Sequence, residues 1–464
     1  MAAAAADDDG GEAYAQRLIT LVVLVLGAAS ALAVLAAPVV IRLYAVSADP
    51  TQRHLATSFA RFLLPQIVFY GLGATIGAIL NTRGRYAEPM WTPVLNNLVV
   101  IGTAVVFIAL PGPARLAPSS ITSAQTLTLA IGTTLGIIIQ TVALLPALRA
   151  TGFRLRLRFD LRGTGLGSAG RLAGWVLCYV VVNQIGLLVI VNLANAAARE
   201  SGGGFSAYLY AYTLFQLPYA VVAVSVITAL LPRMSRSAVD GRLDDVRADL
   251  SSGLRLAAVV LVPAALGFVV LGPALATAVF AHGQVSTAGA EQIGAVLAAF
   301  AVGLVPFSAF QLQLRAFYAM RDTRTPALIN VVVTAVNVTV DIALYLGLPA
   351  RDRVTGLALG FAVSYVAGLA LSCAVLHRRL NGLDGSRIVR TTVRLLLAAA
   401  LGALAAAAAA ALLRHALGQG LTGAVTVVAV AGSVLAFVYL AAASRMRVEE
   451  LTSLTADVRR RLGR

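Results

Sequence analysis

Long apolar runs separated by short polar segments make up most of the chain. Twelve runs stand out, lettered A to L here: 18–41, 57–80, 91–111, 126–148, 171–195, 206–231, 254–281, 290–314, 327–347, 354–376, 391–413 and 420–443. About 20 apolar residues suffice to cross ~30 Å of hydrocarbon as an α-helix. A helix satisfies its own backbone donors and acceptors, which lipid cannot do. The runs also lack the polar–apolar alternation over ~10 residues that marks a barrel strand. The pattern predicts an all-α polytopic membrane protein with about 12 transmembrane helices.

Composition agrees. Charged residues are 12% of the chain and hydrophobic residues 59%, where a soluble domain carries roughly 25% charge. The formal net charge is +16, and all 36 basic residues are arginine. Nearly all of them lie between the apolar runs, the pattern of topology signals rather than of a groove that tracks nucleic-acid phosphates. Without lysine there is no P-loop, which excludes a Walker-type ATPase. With the N-terminus inside, 28 arginines fall on the inner side and 8 on the outer. The loops 149–171 and 378–394 are the clearest inner loops, so both termini are expected in the cytoplasm. Met1–Gly11 has no basic stretch before the first run and does not read as a cleavable signal.

Little here reads as redox, metal or cofactor chemistry. Cys178 and Cys373 lie far apart inside apolar runs, and His54, His282, His377 and His415 do not cluster. Neither a metal site nor a cofactor is expected. Gly165–Gly170 spells GxGxxG, but no strand precedes it, so a dinucleotide site is not inferred.

The sequence repeats itself at an offset of about 238 residues. Arg17-Leu18 at the start of A answers Arg255-Leu256 at the start of G. Pro38 and Leu43-Tyr44-Ala45 answer Pro273 and Val279-Phe280-Ala281. The B–C junction, Ala78 to Arg85 followed by Pro89 and Asn96-Asn97, answers the H–I junction, Ala316 to Pro326 followed by Asn330. If A to D pair with G to J, then E and F lack partners, which would fall about 67 residues before Met1. Two lobes of six helices are a plan that membrane transporters use. The expected organisation is a tail at 1–16, an incomplete N-lobe of four spans at 17–149, and a basic loop at 150–170. A C-lobe of six spans follows at 171–380, an extra helix pair at 381–443, and a basic tail at 444–464.

Four stretches carry a resemblance to a known family: 64–97 (LPQIVFYGLGATIGAILNTRGRYAEPMWTPVLNN), 212–236 (YTLFQLPYAVVAVSVITALLPRMSR), 314–330 (LRAFYAMRDTRTPALIN) and, less specifically, 32–45. In these the chain resembles the MurJ (MviN) family of lipid II flippases, within the multidrug/oligosaccharidyl-lipid/polysaccharide (MOP) exporter superfamily. The resemblance implies a MATE-like two-lobe helical bundle, normally of 14 helices, with span A answering the family's third. The family's first two helices carry arginines and an acid of its central cavity. A further cavity arginine is replaced here by Thr213.

What the resemblance implies is translocation of lipid II, an undecaprenyl pyrophosphate-linked disaccharide-pentapeptide. It would pass from the inner to the outer leaflet of the bacterial cytoplasmic membrane by alternating access. No catalysis is implied, and the partners would be lipid II, membrane lipids and cell-wall synthesis proteins, with no nucleic acid. Two alternatives stay open: export of another polyprenyl-linked saccharide, and a non-transporting scaffold in cell-wall synthesis.

Candidate substrate contacts are Arg61, Asn183, Gln184, Thr213, Gln216, Arg255 and Arg315. Arg61 has a second reading as a cation snorkelling to the interface, and Arg255 and Arg315 as topology anchors. Asn183, Gln184, Asn192 and Asn195 form a polar ladder on E that faces either a cavity or another helix. Asp341 is a candidate for ion coupling, with an interfacial helix cap as the other reading. Asn81, Pro93, Asn97, Pro218, Phe317, Tyr318, Asp322, Thr325 and Pro326 are motif residues expected to shape turns and helix pairs. Pro65, Pro93 and Pro218 are expected to kink their helices.

Overall fold

The structure, a computed structural model, describes residues 11–46, 48–113, 117–160, 166–201, 204–283, 285–418, 420–448 and 450–451, with the backbone alone at 166–173 and 201. The acidic start at Asp7–Asp9, Gly165 of the GxGxxG stretch, Arg162, the Arg171 side chain and the last arginines lie outside the described residues. Most of the described residues are helical, joined by short turns and the extended segment 153–160. In the first of two compact units, Met1–Ala169, the helices are α1 (Glu12–Tyr44), α2 (Pro50–Leu63), α3 (Gln66–Thr82), α4 (Ala87–Ala109), α5 (Ser123–Val142) and α6 (Leu144–Ala150). In the second, Gly170–Arg464, the first five are α7 (Leu166–Ser201, which begins just before the boundary), α8 (Gly204–Pro218), α9 (Val224–Val239), α10 (Leu243–Phe280) and α11 (Thr287–Val302). The others are α12 (Leu304–Ala319), α13 (Arg324–Gly347), α14 (Arg353–Arg379), α15 (Gly385–Leu417) and α16 (Leu421–Arg445).

Each of the runs A to L lies on one of these helices or helix pairs. Among the described residues, 11 helical segments are long and apolar enough to cross a membrane, and 12 when the bent pair α11–α12 counts as one span. Their surfaces confirm the solvent they are built for: Ile108 of α4 is 81% exposed and Leu35 of α1 78%. Leu24, Val25, Leu32 and Val39 of α1 and Val94, Leu98, Ile101 and Val105 of α4 are exposed as well, an apolar surface of the extent that faces hydrocarbon. This is a multi-pass membrane protein.

Local chemistry sets the helix ends. Asp49 accepts from the Gln52 backbone N–H ahead of Pro50 at the first helical position of α2. Thr122 and Gln125 form a reciprocal capping box at the start of α5, as side chains that quench orphan N–H groups do. Two helix C-termini at the sequence offset end alike, in a form that Gly241, Asn381 and Arg447 also adopt. Gly84 after α3 and Arg321 after α12 both adopt a left-handed conformation (φ 76° and 59°). At each, an N–H reaches back five residues, Arg85 to the Leu80 carbonyl (2.9 Å) and Asp322 to the Phe317 carbonyl (2.9 Å). These are Schellman-type ends, 237 residues apart, within one residue of the sequence offset.

In the first unit, Ile19 of α1 packs with Ile76, Ile79 and Leu80 of α3 and Leu144 and Leu148 of α6. Small residues draw α4 and α5 together: a side chain at Gly132 would strike Thr103, and one at Gly136 would strike Asn96. In the second unit, α8, α11, α12 and α14 share an aromatic core. Phe215, Phe300, Phe307 and Phe361 stand 5.2–5.7 Å apart, at the separations aromatic pairs prefer. The pair α15–α16 packs on α10, where the Tyr439 hydroxyl donates to the Val259 carbonyl (2.5 Å).

The three prolines expected to kink their helices differ in their settings. Pro65 and Pro218 do mark irregularities, a helix break after Leu64 and a π-helical turn at Tyr219–Ala223. Pro93 lies within the continuous α4. The sharpest bend, 50°, separates α11 from α12 at Gly303. There the backbone presses so close to α14 that a Cβ would sit 2.9 Å from the Ala362 Cα. Gly303→Val should therefore destabilise the protein by about 1–3 kcal/mol through overpacking. The measurement is the denaturant unfolding midpoint in detergent, with Gly27→Ala as the neutral control, because nothing lies within 4 Å of that site.

Candidate functional site

In the second unit, α7, α8, α13 and α14 enclose a cavity of about 370 Å³. Its polar lining comes from residues the apolar pattern would not require: Asn183 and Gln184 on α7, Tyr208 and Tyr212 on α8, Thr334 and Asn337 on α13, and Ser364 on α14. Gly186 permits the approach, since a Cβ there would meet the Thr334 methyl at 2.9 Å. Tyr179 ties the walls together, its carbonyl accepting from Asn183 (2.9 Å) and from Asn330 (3.4 Å).

One turn beyond Asn337 lies Asp341, with no exposed surface at all. Asn337 Nδ2 donates to its Oδ2 (3.0 Å), while its Oδ1 has no hydrogen-bond partner and rests against Gly360 of α14, where any Cβ would collide with it. No arginine or histidine pairs with it among the described ion pairs. The reading of Asp341 as an interfacial cap is therefore wrong: close packing at Gly360 seals it inside the bundle. An acid so enclosed is costly to keep within a span. The Asp341 carboxylate and the Asn337 amide beside it are hard oxygen and amide groups, while the Ser364 hydroxyl donates to the Phe361 carbonyl (2.8 Å). Among the described residues, no group of three His, Cys, Asp or Glu could hold a transition metal.

The structure gathers only some of the sequence candidates. Asn183 and Gln184 line the cavity, but Asn192 and Asn195 do not, and Asn192 donates to the Leu188 carbonyl. Thr213 is exposed and donates to the Leu209 carbonyl (2.9 Å), and Gln216 is half-buried away from the cavity. Arg61 is exposed beside the α2–α3 break. Arg315 is half-buried, with its guanidinium 5.7 Å from the Tyr318 ring. Arg255 is buried in an ion pair with Glu450, downstream of α16, and lies outside the cavity lining. The sequence reading missed Tyr208, Tyr212, Asn337 and Ser364. The i,i+4 spacing of Asn337 and Asp341 on one helix face was the available signal.

Motif residues prove architectural. Asn81 is exposed and its carbonyl accepts from Gly84. Asn97 is exposed, and its neighbour Asn96 makes the close contact with Gly136. Phe317 is fully buried beneath the Arg379 guanidinium (5.4 Å), and Tyr318 and Pro326 flank the same turn. Asp322 accepts from the Thr325 backbone N–H (3.0 Å), while Arg379 binds both Asp322 and the Thr325 hydroxyl.

Residues 2–431 match the family model described as lipid II flippase MurJ. The chain belongs to the MurJ family. The probable lipid II flippase MurJ of Vibrio cholerae is 28% identical over 75% of this chain and 64% of its own length. That of Rhizobium meliloti is 27% identical over 76% of this chain and 63% of its own. The chain thus spans under two thirds of the length of these curated relatives. A solved structure of lipid II flippase MurJ in the inward closed conformation superposes with a TM-score of 0.72 at 19% identity, covering 95% of this chain and 85% of that one. An inward-facing MATE family transporter of the MOP superfamily gives 0.63 at 13% identity, covering 82% and 83%. The two share the fold, and the expected MOP architecture holds.

The Asp322 clasp yields a pH prediction. Burial alone would raise this carboxyl, but bonds from Thr325 and Arg379 outweigh it and hold it below the ordinary value of 3.8. A lowered native value means that the clasp's stabilisation is complete above about pH 4 and is lost as pH falls through the native value. Thermal unfolding in detergent between neutral and acidic pH should show a steeper acid loss in the parent than in Asp322→Asn.

Proposed function

We propose that this protein flips lipid II from the inner to the outer leaflet of the bacterial cytoplasmic membrane by alternating access, with both termini cytoplasmic. Membership of the MurJ family supports the substrate, and the arginine asymmetry of the loops supports the orientation. The observation that favours an active transporter is Asp341, a buried acid with one unpartnered oxygen beside a polar cavity. Keeping a carboxyl so placed costs stability, which a passive bundle has no reason to retain.

The cavity also defines its own role. At about 370 Å³ it lies at the small end of sites for drug-sized molecules, roughly 300–1,000 Å³, too little for a disaccharide-pentapeptide. It suits a cation with part of its hydration shell, and we assign it to coupling. An inside-negative potential adds ~2.3 kcal/mol per charge per 100 mV to inward cation movement, and the same field favours outward passage of the pyrophosphate.

The scaffold reading rests on two observations: Thr213 carries no charge where the resemblance expects a cavity arginine, and Arg255 is committed to Glu450. Depletion with complementation separates the readings. Cells relying on this gene should expose lipid II in the outer leaflet, and unchanged exposure after depletion, with no redundant flippase, removes the proposal. Asp341→Asn should reduce flipping at least tenfold while the protein still folds. Adding sodium, or lowering pH if the proton is the coupling ion, should raise the melting temperature of the parent and leave the variant unmoved.

A further inference from the structure

Residues 153–160 read Phe-Arg-Leu-Arg-Leu-Arg-Phe-Asp, a period of two in a chain otherwise built on helical periods. In the first unit this segment lies extended along the first turns of α1. Glu12, Gln16 and Thr20, spaced by four on one face of α1, hold it. Glu12 accepts from the Arg154 N–H (3.1 Å), Gln16 donates to the Arg154 carbonyl (2.7 Å), and Thr20 accepts from the Arg158 N–H (2.8 Å). Both ends are pinned. Phe153 is buried beneath the Arg83 guanidinium (5.2 Å), and Arg17 pairs with Asp160 (2.5 Å).

An extended chain sends successive side chains to opposite sides, so Arg154, Arg156 and Arg158 oppose Leu155, Leu157 and Phe159. None of the three arginines takes part in an ion pair among the described residues, and together with part of Leu157 they line a cleft of about 510 Å³ against the start of α1. The apolar set is exposed, Leu157 to 57% and Phe159 to 68%. The apolar run of α1 begins at Leu18, so the strap sits level with the edge of the hydrocarbon.

We propose that residues 153–160 form an interfacial strap that binds phosphate headgroups of anionic membrane lipids through Arg154, Arg156 and Arg158, with Leu155, Leu157 and Phe159 seated among the acyl chains. Arginine suits phosphate because its planar fork binds two oxygens together. A soluble anion would leave the apolar stripe without a role. Bound in this way, the strap ties the end of α1 to the membrane surface. The proposal is independent of the transported substrate.

The test uses the full chain in nanodiscs, with Cys178→Ala and Cys373→Ala and an environment-sensitive dye on Leu157→Cys. In phosphatidylcholine containing phosphatidylglycerol, emission should shift to the blue and iodide quenching should fall several-fold relative to phosphatidylcholine alone. Combining Arg154→Gln, Arg156→Gln and Arg158→Gln should return both readings to the phosphatidylcholine values. An unchanged unfolding midpoint in detergent shows that this variant keeps its fold. Equal dye protection in the two bilayers, or protection that survives the triple substitution, overturns the proposal. So does full protection by inorganic phosphate in phosphatidylcholine, which would assign the site to a free anion.

Discussion

Hydrocarbon offers no hydrogen bonds, and that constraint organises the whole molecule. Every spanning segment must close its own backbone bonds, so the described spans are helices. Every polar side chain inside them must turn toward another helix or a cavity. The threonines and serines of the spans mostly donate to carbonyls four residues back, as Thr75, Thr103 and Thr339 do. Other polar side chains pair between helices, as Gln66 does with Thr134 and Gln313 with Ser372, or line the cavity where α7, α8, α13 and α14 meet. The cavity follows from a solvent that refuses polar atoms.

Close approach between these helices depends on small residues. Gly132 and Gly136 seat α5 on α4, Gly186 seats α7 on α13, and Gly360 seats α14 on the Asp341 carboxyl. Small residues at interfaces are the usual route to tight contact in membranes, where hydrophobic collapse provides no drive. Here the same packing that holds the bundle together also strips Asp341 of water. Stability and the chemistry of the site share one cause.

Much of the charge among the described residues lies near helix ends, where it holds neighbouring segments together. Arg379 fastens α14 to the turn before α13, Arg255 and Glu450 hold the segment after α16 against α10, and Arg353 joins Glu200 while stacking 4.6 Å from the Tyr345 ring. Arginines that read in sequence as orientation signals are therefore also clasps. Exposed pairs of this sort contribute little singly. The buried Arg255–Glu450 pair is different, because removing one partner strands a charge.

The sequence alone determined the helix count, the span positions, the internal repeat and the MurJ family, because span length and periodicity are local properties enforced by the bilayer. The 237-residue spacing of the left-handed turns at Gly84 and Arg321 was legible for the same reason. Only the tertiary structure decided which polar residues meet. Asn183 reaches the cavity and Asn195 does not. Arg255 is spent on a residue 195 positions away, and Asp341 is sealed rather than interfacial. The extended strap at 153–160 was written in an alternating pattern, but its partners on α1 lie some 140 residues upstream. Side-chain direction and long-range contact depend on how helices rotate against one another, and no local period encodes that rotation.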